Sequence, residues 1–531
     1  MFLILGTLWF IRTLKYFLFW LYLWQLKEYH VGRFLDHFDT SKGKKLIFNP
    51  LLGFKIVLAG FFLISPNSAA TVLIFIYFIE AGSFLKAIYQ KDFKKPVMTS
   101  KASFLMSVLF LLVIIFPIAV SKLDVLMFSF CLLIFDILLP FVVSLVVLLL
   151  QPFAVLARNS ILKKAKKKME GLKDLTVIAI TGSFGKTSTK EFLKTILSKN
   201  FITLSTNKRQ NSEIGIANCI LNDLGTVHKI FIAEIGAYNK GKIKEVCSML
   251  KPEIGIITGV NEQHLALFGS MDNLLSAEGG RELAKLLPKN GMLVINGDNK
   301  YALDLYKRND VEKKIYSINR NKISSDIWTE DVDVGQRFIS FVAFTKNSEI
   351  AYFKVDVLGR QNVQNILGAV LVAQKLGMSL PEIAEACKSI KQEQAGMVLK
   401  TGKHGIEIID SSYSSNPDGA EADLDYLKVF PKKKAVIMPC LIELGPKSAE
   451  IHEKIGRKIG QIADKAIITT KERFESIKKG AMESGMAEKD IIFCENPKDI
   501  FTLISLSFTQ GDAVLLEGRV PNQIIKLLLS E

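Results

Sequence analysis

The chain has 531 residues, 49% of them apolar and 23% charged, with a net charge of +16; the length allows about two to four domains, and the composition excludes a disordered chain. The positive balance points to an anionic partner, but part of it sits in short loops between apolar runs and in Lys163 to Lys168, which favours lipid head groups over nucleic acid; there is no basic–aromatic array of the kind single-strand binders use. Six cysteines (Cys131, Cys219, Cys247, Cys387, Cys440, Cys494) stand far apart with no CxxC pair, which argues against a zinc ribbon or a disulfide framework and fits a reducing compartment.

Apolar runs dominate residues 1–150. Phe2 to Trp24, Leu51 to Ser65, Ala69 to Tyr89, Ser103 to Val120 and Leu123 to Leu150 make about five candidate spans. Each is near the ~20 residues a helix needs to cross a bilayer, the second being short. A cleaved signal peptide does not repeat in this way. The loops "QLKEYHVGRFLDHFDTSKGKK" and "QKDFKKPVMTSK" and the segment "RNSILKKAKKK" are rich in Lys and Arg, whereas the intervening turns carry little charge. The positive-inside rule then puts the N-terminus outside and everything after Leu150 in the cytoplasm, a topology that an odd number of spans satisfies. Arg12 and Lys15 interrupt the first span. They are costly at mid-membrane unless they face the bundle interior or the true span is offset.

After a basic juxtamembrane linker, residues 151–173, comes "LTVIAITGSFGKTSTKEFLKTIL", Leu175 to Leu197. A β-branched apolar run reads as a buried parallel strand, Gly182 to Gly185 break it, and apolar residues from Lys186 on recur at helical spacing. A glycine turn between strand and helix aims backbone N–H groups and the positive helix end at a phosphate. The pattern is TGxxGKT, shorter than the common GxxxxGK[ST] form, since Ile180 stands where that form has a glycine. The phosphate-binding set is Gly182, Ser183, Gly185, Lys186, Thr187 and Ser188, with Lys186 reaching the β/γ-phosphates of ATP or GTP and the Thr187 hydroxyl ligating Mg²⁺.

Strands and helices alternate beyond this point. "KIFIAEIGA", "EIGIITGV" and "GMLVINGDN" read as strands of one α/β unit. "GIEIID", "AVIMPCL", "KAIITT", "IIFCEN" and "AVLLEGRV" read as strands of a second. The join falls near "VDVLGRQNVQNILGAVLVAQKLGMS", with Gly359 as the flexible point. The expected fold class is an N-terminal α-helical transmembrane bundle (1–150) followed by two α/β domains, a P-loop central domain (174–376) and a Rossmann-like C-terminal domain (377–531).

The blocks "TGSFGKT", "AEIGA", "ITGVNEQHLALFGS", "GRQNVQN", "IIDSSYSSNPDG" and "IELG…EIH" resemble, in order and spacing, the Mur ligase family, and within it the MurF type that adds D-alanyl-D-alanine. The resemblance covers about Asp174 to the C-terminus. It implies an ATP- and Mg²⁺-dependent ligase of peptidoglycan synthesis in which a carboxylate becomes an acyl phosphate that an amine, an amino acid or a dipeptide, then captures. It implies catalytic roles for Lys186, Glu234 and His264, a metal site at Thr187, Glu234 and His264, and nucleotide contacts from Asn362, Asn365, Asp410 and Asn416. Helix capping is the alternative role for the first two asparagines. Asn211, in "STNKRQNSEIGIANCIL", falls in the family's substrate-facing loop.

This chain departs from the family in several places. Gly280 or Arg281 stands near the family's carbamoylated lysine, Gly396 at its arginine, Ser411 at its second acidic position and Gln361 in place of a histidine. A uridine-nucleotide-binding domain precedes the ATP domain in MurF-type enzymes, and no room for one exists between Leu150 and Leu175. The expectation is that the membrane bundle replaces it, with a lipid-linked or membrane-proximal precursor as acceptor, or else that the spans merely anchor the enzyme near the wall-building machinery; membrane lipid and cell-wall synthesis proteins are expected neighbours, and nucleic acid is not. A poly-glutamate-type synthase and a degenerate nucleotide-binding scaffold are the alternatives.

Overall fold

A computed structural model describes residues 2–39, 41–90, 93–208, 210–237, 239–307, 311–319, 324–413, 416–442 and 444–529. Ser414, Ser415 and Glu443, which fall in two of the quoted blocks, lie outside them. The chain divides into two compact units, Met1–Asn159 and Ser160–Glu531.

Among the described residues of the first unit, four helices are long and apolar enough to cross a membrane: Phe2–Leu26, Pro66–Tyr89, Ser100–Val120 and the one beginning at Val125, whose apolar part runs to Leu149. Leu5, Trp9, Leu21, Leu73, Leu132 and Val143 are fully buried between them, while Phe75, Ile79, Phe141 and Leu145 are exposed. Helices apolar on both inner and outer faces suit a lipid surround. The second of the five apolar runs is not among them. The second run forms a helix over only 12 residues, Pro50–Phe61, about 18 Å long at 1.5 Å per residue. Its remaining apolar residues, Phe62 to Ile64, make the turn that leads into Pro66 at the start of the next helix, because proline begins a helix well and cannot continue one. The basic linker is helical, Gln151–Glu170.

The second unit carries two sheets. The first has nine strands in the order β2-β3-β1-β4-β5-β6-β7-β8-β9, with β1 at Thr176–Thr181, β2 at Thr203–Ser205, β3 at Ile230–Glu234, β4 at Ile254–Ile257, β5 at Met292–Asn296, β6 at Glu312–Ser317, β7 at Ile327–Val334, β8 at Ile339–Thr345 and β9 at Ile350–Val355. Pairing is parallel up to β7 and antiparallel beyond it. Alternate residues of the central strands serve opposite cores. Ile178, Ile180, Ile232 and Ile256 pack with Phe192, Leu193 and Ile366, whereas Val177, Ala179, Phe231 and Ala233 pack with Ile216, Ile220, Val246 and Met169. That period of two is what a sheet covered on both faces requires.

The second sheet runs β10-β11-β15-β12-β13-β14, with β10 at Val398–Thr401, β11 at Glu407–Ser411, β12 at Lys434–Met438, β13 at Lys465–Ile468, β14 at Ile491–Phe493 and β15 at Ala513–Glu517. Among the described residues only its β10–β11 pair is antiparallel. Helix Leu380–Cys387 buries Leu380, Ile383 and Cys387 in the core of the first sheet, which extends to Ile390. The core of that sheet therefore reaches past residue 376, and the second sheet starts at Val398.

Candidate active site at the strand ends

The functional side chains collect at the C-terminal ends of β1, β3 and β4, the edge at which parallel sheets gather ligands. The loop after β1 turns into helix Lys186–Leu197 through Gly182 at φ 141° and Gly185 at φ 75°. Both are conformations that a side chain disfavours. Neighbours also crowd both glycines: a Cβ on Gly182 would lie 2.3 Å from Thr258 Oγ1, and one on Gly185 2.5 Å from Asn365 Oδ1. The loop backbone is pinned by Ser183 N–H donating to the Gly259 carbonyl at 2.7 Å and by the Thr258 hydroxyl donating to the Phe184 carbonyl. The first N–H groups of the following helix have no intrahelical acceptor. A loop held in this shape at a helix N-terminus fits a phosphate chain.

Lys186 Nζ folds over this loop, donating to the Gly182 carbonyl at 2.5 Å and to that of Ser183 at 3.2 Å. Next to it the Thr187 hydroxyl lies 3.1 and 3.0 Å from the two carboxylate oxygens of Glu234, the last residue of β3. Asn211 Nδ2 donates to Glu234 Oε1 at 3.1 Å, so the loop position singled out in the sequence belongs to this cluster. A hydroxyl and a carboxylate side by side are the hard oxygen donors that Mg²⁺ takes, its other positions falling to phosphate and water. Among the described residues no group of three or more His, Cys, Asp and Glu side chains stands close enough to hold a metal. The metal set read from the sequence is thus divided: Thr187 and Glu234 meet each other, and His264 lies with a different carboxylate.

That carboxylate is Glu278, which the sequence reading missed. It is 2% exposed, accepts from Ser183 Oγ at 2.7 Å and pairs through Oε1 with His264 Nδ1 at 2.8 Å. Burial pushes its carboxyl up, but the His264 ring and its hydrogen bond, together with the Lys186 charge and the Ser183 hydroxyl, outweigh burial and hold it below the usual carboxylate value. Its segment, "SAEGGRE", has no periodicity to mark it. Lys190 was missed as well. It is fully buried and lies 3.4 Å from Glu234 Oε2, 3.1 Å from Glu191 Oε1 and 2.7 Å from the Thr206 carbonyl. Here a signal existed, because Lys190 falls on the core face shared by Leu193 and Leu197.

The remaining expected residues divide. Asn365 abuts Gly185, accepts from Thr189 Oγ1 at 3.3 Å and donates to Asn362 Oδ1 at 2.9 Å. Asn362 Nδ2 donates to the Leu358 carbonyl at 2.7 Å. Neither asparagine is the N-cap of helix Gln361–Lys375, a place taken by Arg360. Asn416 caps helix Pro417–Leu427, and Asn261, after β4, donates to Asn416 Oδ1 at 3.2 Å and to Asp418 Oδ2 at 2.8 Å. The second sheet's domain thus touches the site through this helix start. Ser188 Oγ donates instead to the Ala395 carbonyl at 3.1 Å. Asp410 accepts from Ser412 N–H and Oγ at 3.2 and 2.6 Å and lies 3.4 Å from Lys400.

Comparison with known proteins agrees with this architecture. Residues 180–373 match the Mur ligase middle domain, and residues 397–520 match the Mur ligase, glutamate ligase domain. The UDP-N-acetylmuramoyl-tripeptide–D-alanyl-D-alanine ligase of Escherichia coli strain K12 is 28% identical over 284 residues, 53% of this chain and 61% of that protein. The protein of that name from Bacillus subtilis strain 168 is 24% identical over 358 residues, 66% of this chain and 76% of its own. The chain therefore spans about three fifths of the E. coli relative. Among solved structures, MurF from Acinetobacter baumannii superposes with a TM-score of 0.63 at 22% identity, covering 70% of this chain and 79% of its own. MurF ligase from Thermotoga maritima in complex with ADP gives 0.61 at 23% identity, covering 70% and 83%. With both of its domain types matched in order over more than half of the sequence, this chain belongs to the Mur ligase family.

Proposed function

We propose that the protein is an ATP- and Mg²⁺-dependent amide ligase of peptidoglycan synthesis that joins a muramoyl-peptide carboxylate to an amine such as D-alanyl-D-alanine. One observation carries the reading: a phosphate-shaped glycine loop, a Thr187–Glu234 oxygen pair and a His264–Glu278 pair converge on one end of one sheet. ATP-Mg²⁺ supplies a transferable phosphoryl group. Lys186 and the N-terminus of helix Lys186–Leu197 set positive charge where that group gathers negative charge. Thr187 and Glu234 offer the metal two oxygens, and Lys190 and Asn211 fix the orientation of the Glu234 carboxylate. The acceptor carboxylate attacks the γ-phosphorus and ADP leaves; the amine then attacks the acyl carbon, phosphate departs, and the amine's proton passes to a base. His264, oriented by Glu278, stands beside the loop to bind the acyl phosphate. The domain of the second sheet, contacting Asn261 through Asn416 and Asp418, brings in the amine and excludes water.

We further propose that the helical unit anchors the enzyme in the membrane with the ligase domains in the cytoplasm and presents a lipid-linked acceptor. The basic segments around residues 27–45, 91–101 and 158–168 share the cytoplasmic face only if the chain also changes sides at Pro50–Phe61. That helix is short, but the segment before it enters the bundle, since Leu46 and Asn49 line the same cleft as mid-helix Arg12. The test incubates detergent-solubilised protein and ATP-Mg²⁺ with D-alanyl-D-alanine and either the nucleotide-linked or the lipid-linked muramoyl tripeptide, and follows ADP and the amide product by mass spectrometry. Product from the lipid-linked acceptor that Lys186→Ala lowers by about 10²-fold or more is expected. Turnover on the nucleotide-linked form alone refutes the lipid-linked acceptor, and no product from either refutes the ligase reading.

A further inference from the structure

The helical unit buries two cations and two carboxylates that the ligase chemistry does not use. Arg12 lies on Phe2–Leu26, Lys55 on Pro50–Phe61, Glu80 on Pro66–Tyr89 and Asp136 on Val125–Leu149, and their side chains are 5%, 3%, 7% and 1% exposed. Lys55 Nζ is 2.6 Å from Glu80 Oε2 and 2.8 Å from Asp136 Oδ2. Arg12 Nε is 3.0 Å from Glu80 Oε2, and Arg12 Nη1 contacts Asp136 Oδ1. Each cation therefore meets both acids. Tyr16 donates to Glu80 Oε1 at 2.9 Å, and its ring lies 4.1 Å beneath the Arg12 guanidinium. Four ionised groups are a costly way to hold helices together, because apolar packing of the same volume is as stable or more so. Inside an apolar bundle they mark a functional site.

All four line one cleft. Its cavity volume is about 80 Å³, and its other walls include Phe19, Trp20, Leu52 and Leu139. An apolar wall with a few convergent polar groups is the usual chemistry of a small-ligand site. The start of helix Pro50–Phe61 also opens on it through Asn49, Leu51 and Leu52.

We propose that this cleft binds a zwitterion, a ligand with a primary ammonium and an anionic group a few ångströms apart, supplied either by a free amino acid or dipeptide or by the head group of an ethanolamine phospholipid. The charges of the floor sum to zero. A ligand of net charge would bring an uncompensated ion into a cleft with apolar walls, whereas a zwitterion brings none. Both signs are offered side by side. The contacts above use two of the three Lys55 N–H groups and two of the five on Arg12, which leaves donors for an anionic group. Asp136 pairs with both cations, Oδ1 with Arg12 and Oδ2 with Lys55, and together with Glu80 it forms the anionic side of the floor that faces an ammonium. The aromatic and leucine walls match the hydrocarbon part of either source. The proposal rests on the helical unit alone and stands apart from the ligase reading.

The test uses the full chain in detergent, with Trp20 fluorescence and thermal stability as readouts. The probes are glycylglycine and phosphatidylethanolamine, and the controls are N-acetylglycylglycine and phosphatidylglycerol, each of which carries a net negative charge. A saturable response to either zwitterion at or below about 1 mM, absent with its control, is expected; the dipeptide alone assigns a soluble ligand and the phospholipid alone a lipid one. Leu52→Trp, which fills the cleft without touching a charge, should weaken the response at least about tenfold, and Trp20→Phe should remove the fluorescence change. Failure of both zwitterions to give a saturable response, an equal response to the anionic controls, or undiminished binding in a folded Leu52→Trp protein overturns the proposal.

Discussion

Lys190→Met tests whether Glu234 is held by a buried partner. The lysine is fully buried, 3.4 Å from Glu234 Oε2, and also serves the Thr206 carbonyl at 2.7 Å. Methionine keeps most of the volume, so the loss is mainly that of the charge. Removing one member of a buried ion pair costs about 3–5 kcal/mol, because the other is left uncompensated. The Thr206 carbonyl, deprived of its donor, accounts for about 1–3 kcal/mol of that sum. Thr187 and Asn211 still donate to Glu234, which places the total toward the lower end. Glu234→Gln made in the Lys190→Met background should recover part of the loss, with a coupling of about 1–3 kcal/mol. Hydrogen exchange of the β3 amides in the four proteins of the cycle reports the local opening free energy directly. If the double variant loses the sum of the two single losses to within about 0.5 kcal/mol, the pair does not exist in solution and the account of Glu234 is wrong.

Thr187→Val keeps the shape and removes the hydroxyl that lies within 3.1 Å of both Glu234 oxygens; the Mg²⁺ concentration needed for half-maximal nucleotide binding should rise about tenfold, and an unchanged Mg²⁺ dependence would place the metal elsewhere. His452 is fully buried, with Nε2 accepting from Leu441 N–H at 2.8 Å and Nδ1 facing the Ser448 carbonyl at 2.5 Å, an arrangement that only the neutral ring satisfies. Burial lowers it from the ordinary 6.5, so its stabilisation is fully present above that value and is lost as pH falls through the lower folded value. Denaturation of the second-sheet domain between about pH 7 and pH 5 should show this slope in the native protein and lack it in His452→Asn.

How far the sequence could be read depended on whether a feature is local. The strand, glycine turn and helix at Thr176–Leu197 are visible because each residue's role is set by its immediate neighbours, and β3, β4 and β5 of the first sheet and β11 to β15 of the second are visible as short β-branched apolar runs, whereas the short β2 and the lysine-bearing β6 are not. The antiparallel extension β7–β9 escaped because its outward positions also carry large apolar residues. In β9 the exposed Ile350 and Tyr352 alternate with the buried Phe353 and Val355, so the inside–outside pattern is masked. The second apolar run is longer in sequence than the helix it forms, because Phe62 to Ile64 are as apolar as the helix before them. Only the helix-starting Pro66 shows that they form a turn.

The buried charges divide along the same line. A charge at an apolar-face position is visible in a sequence, but its partner is not. Arg12 and Lys15 both interrupt an apolar run, and hydropathy treats them alike. Their faces differ: Arg12 enters the ion quartet, whereas Lys15 reaches Ser83 at the surface at 3.0 Å. Arg12 meets a carboxylate 68 positions away, and Ser183 meets Glu278 across 95. No local pattern encodes such a pairing, because only the packing of separate elements creates it. The sequence does record the cost, since desolvating an ion is tolerable only where a partner is certain to arrive. A charged residue on a core face is therefore evidence that a partner exists, and the fold supplies its identity.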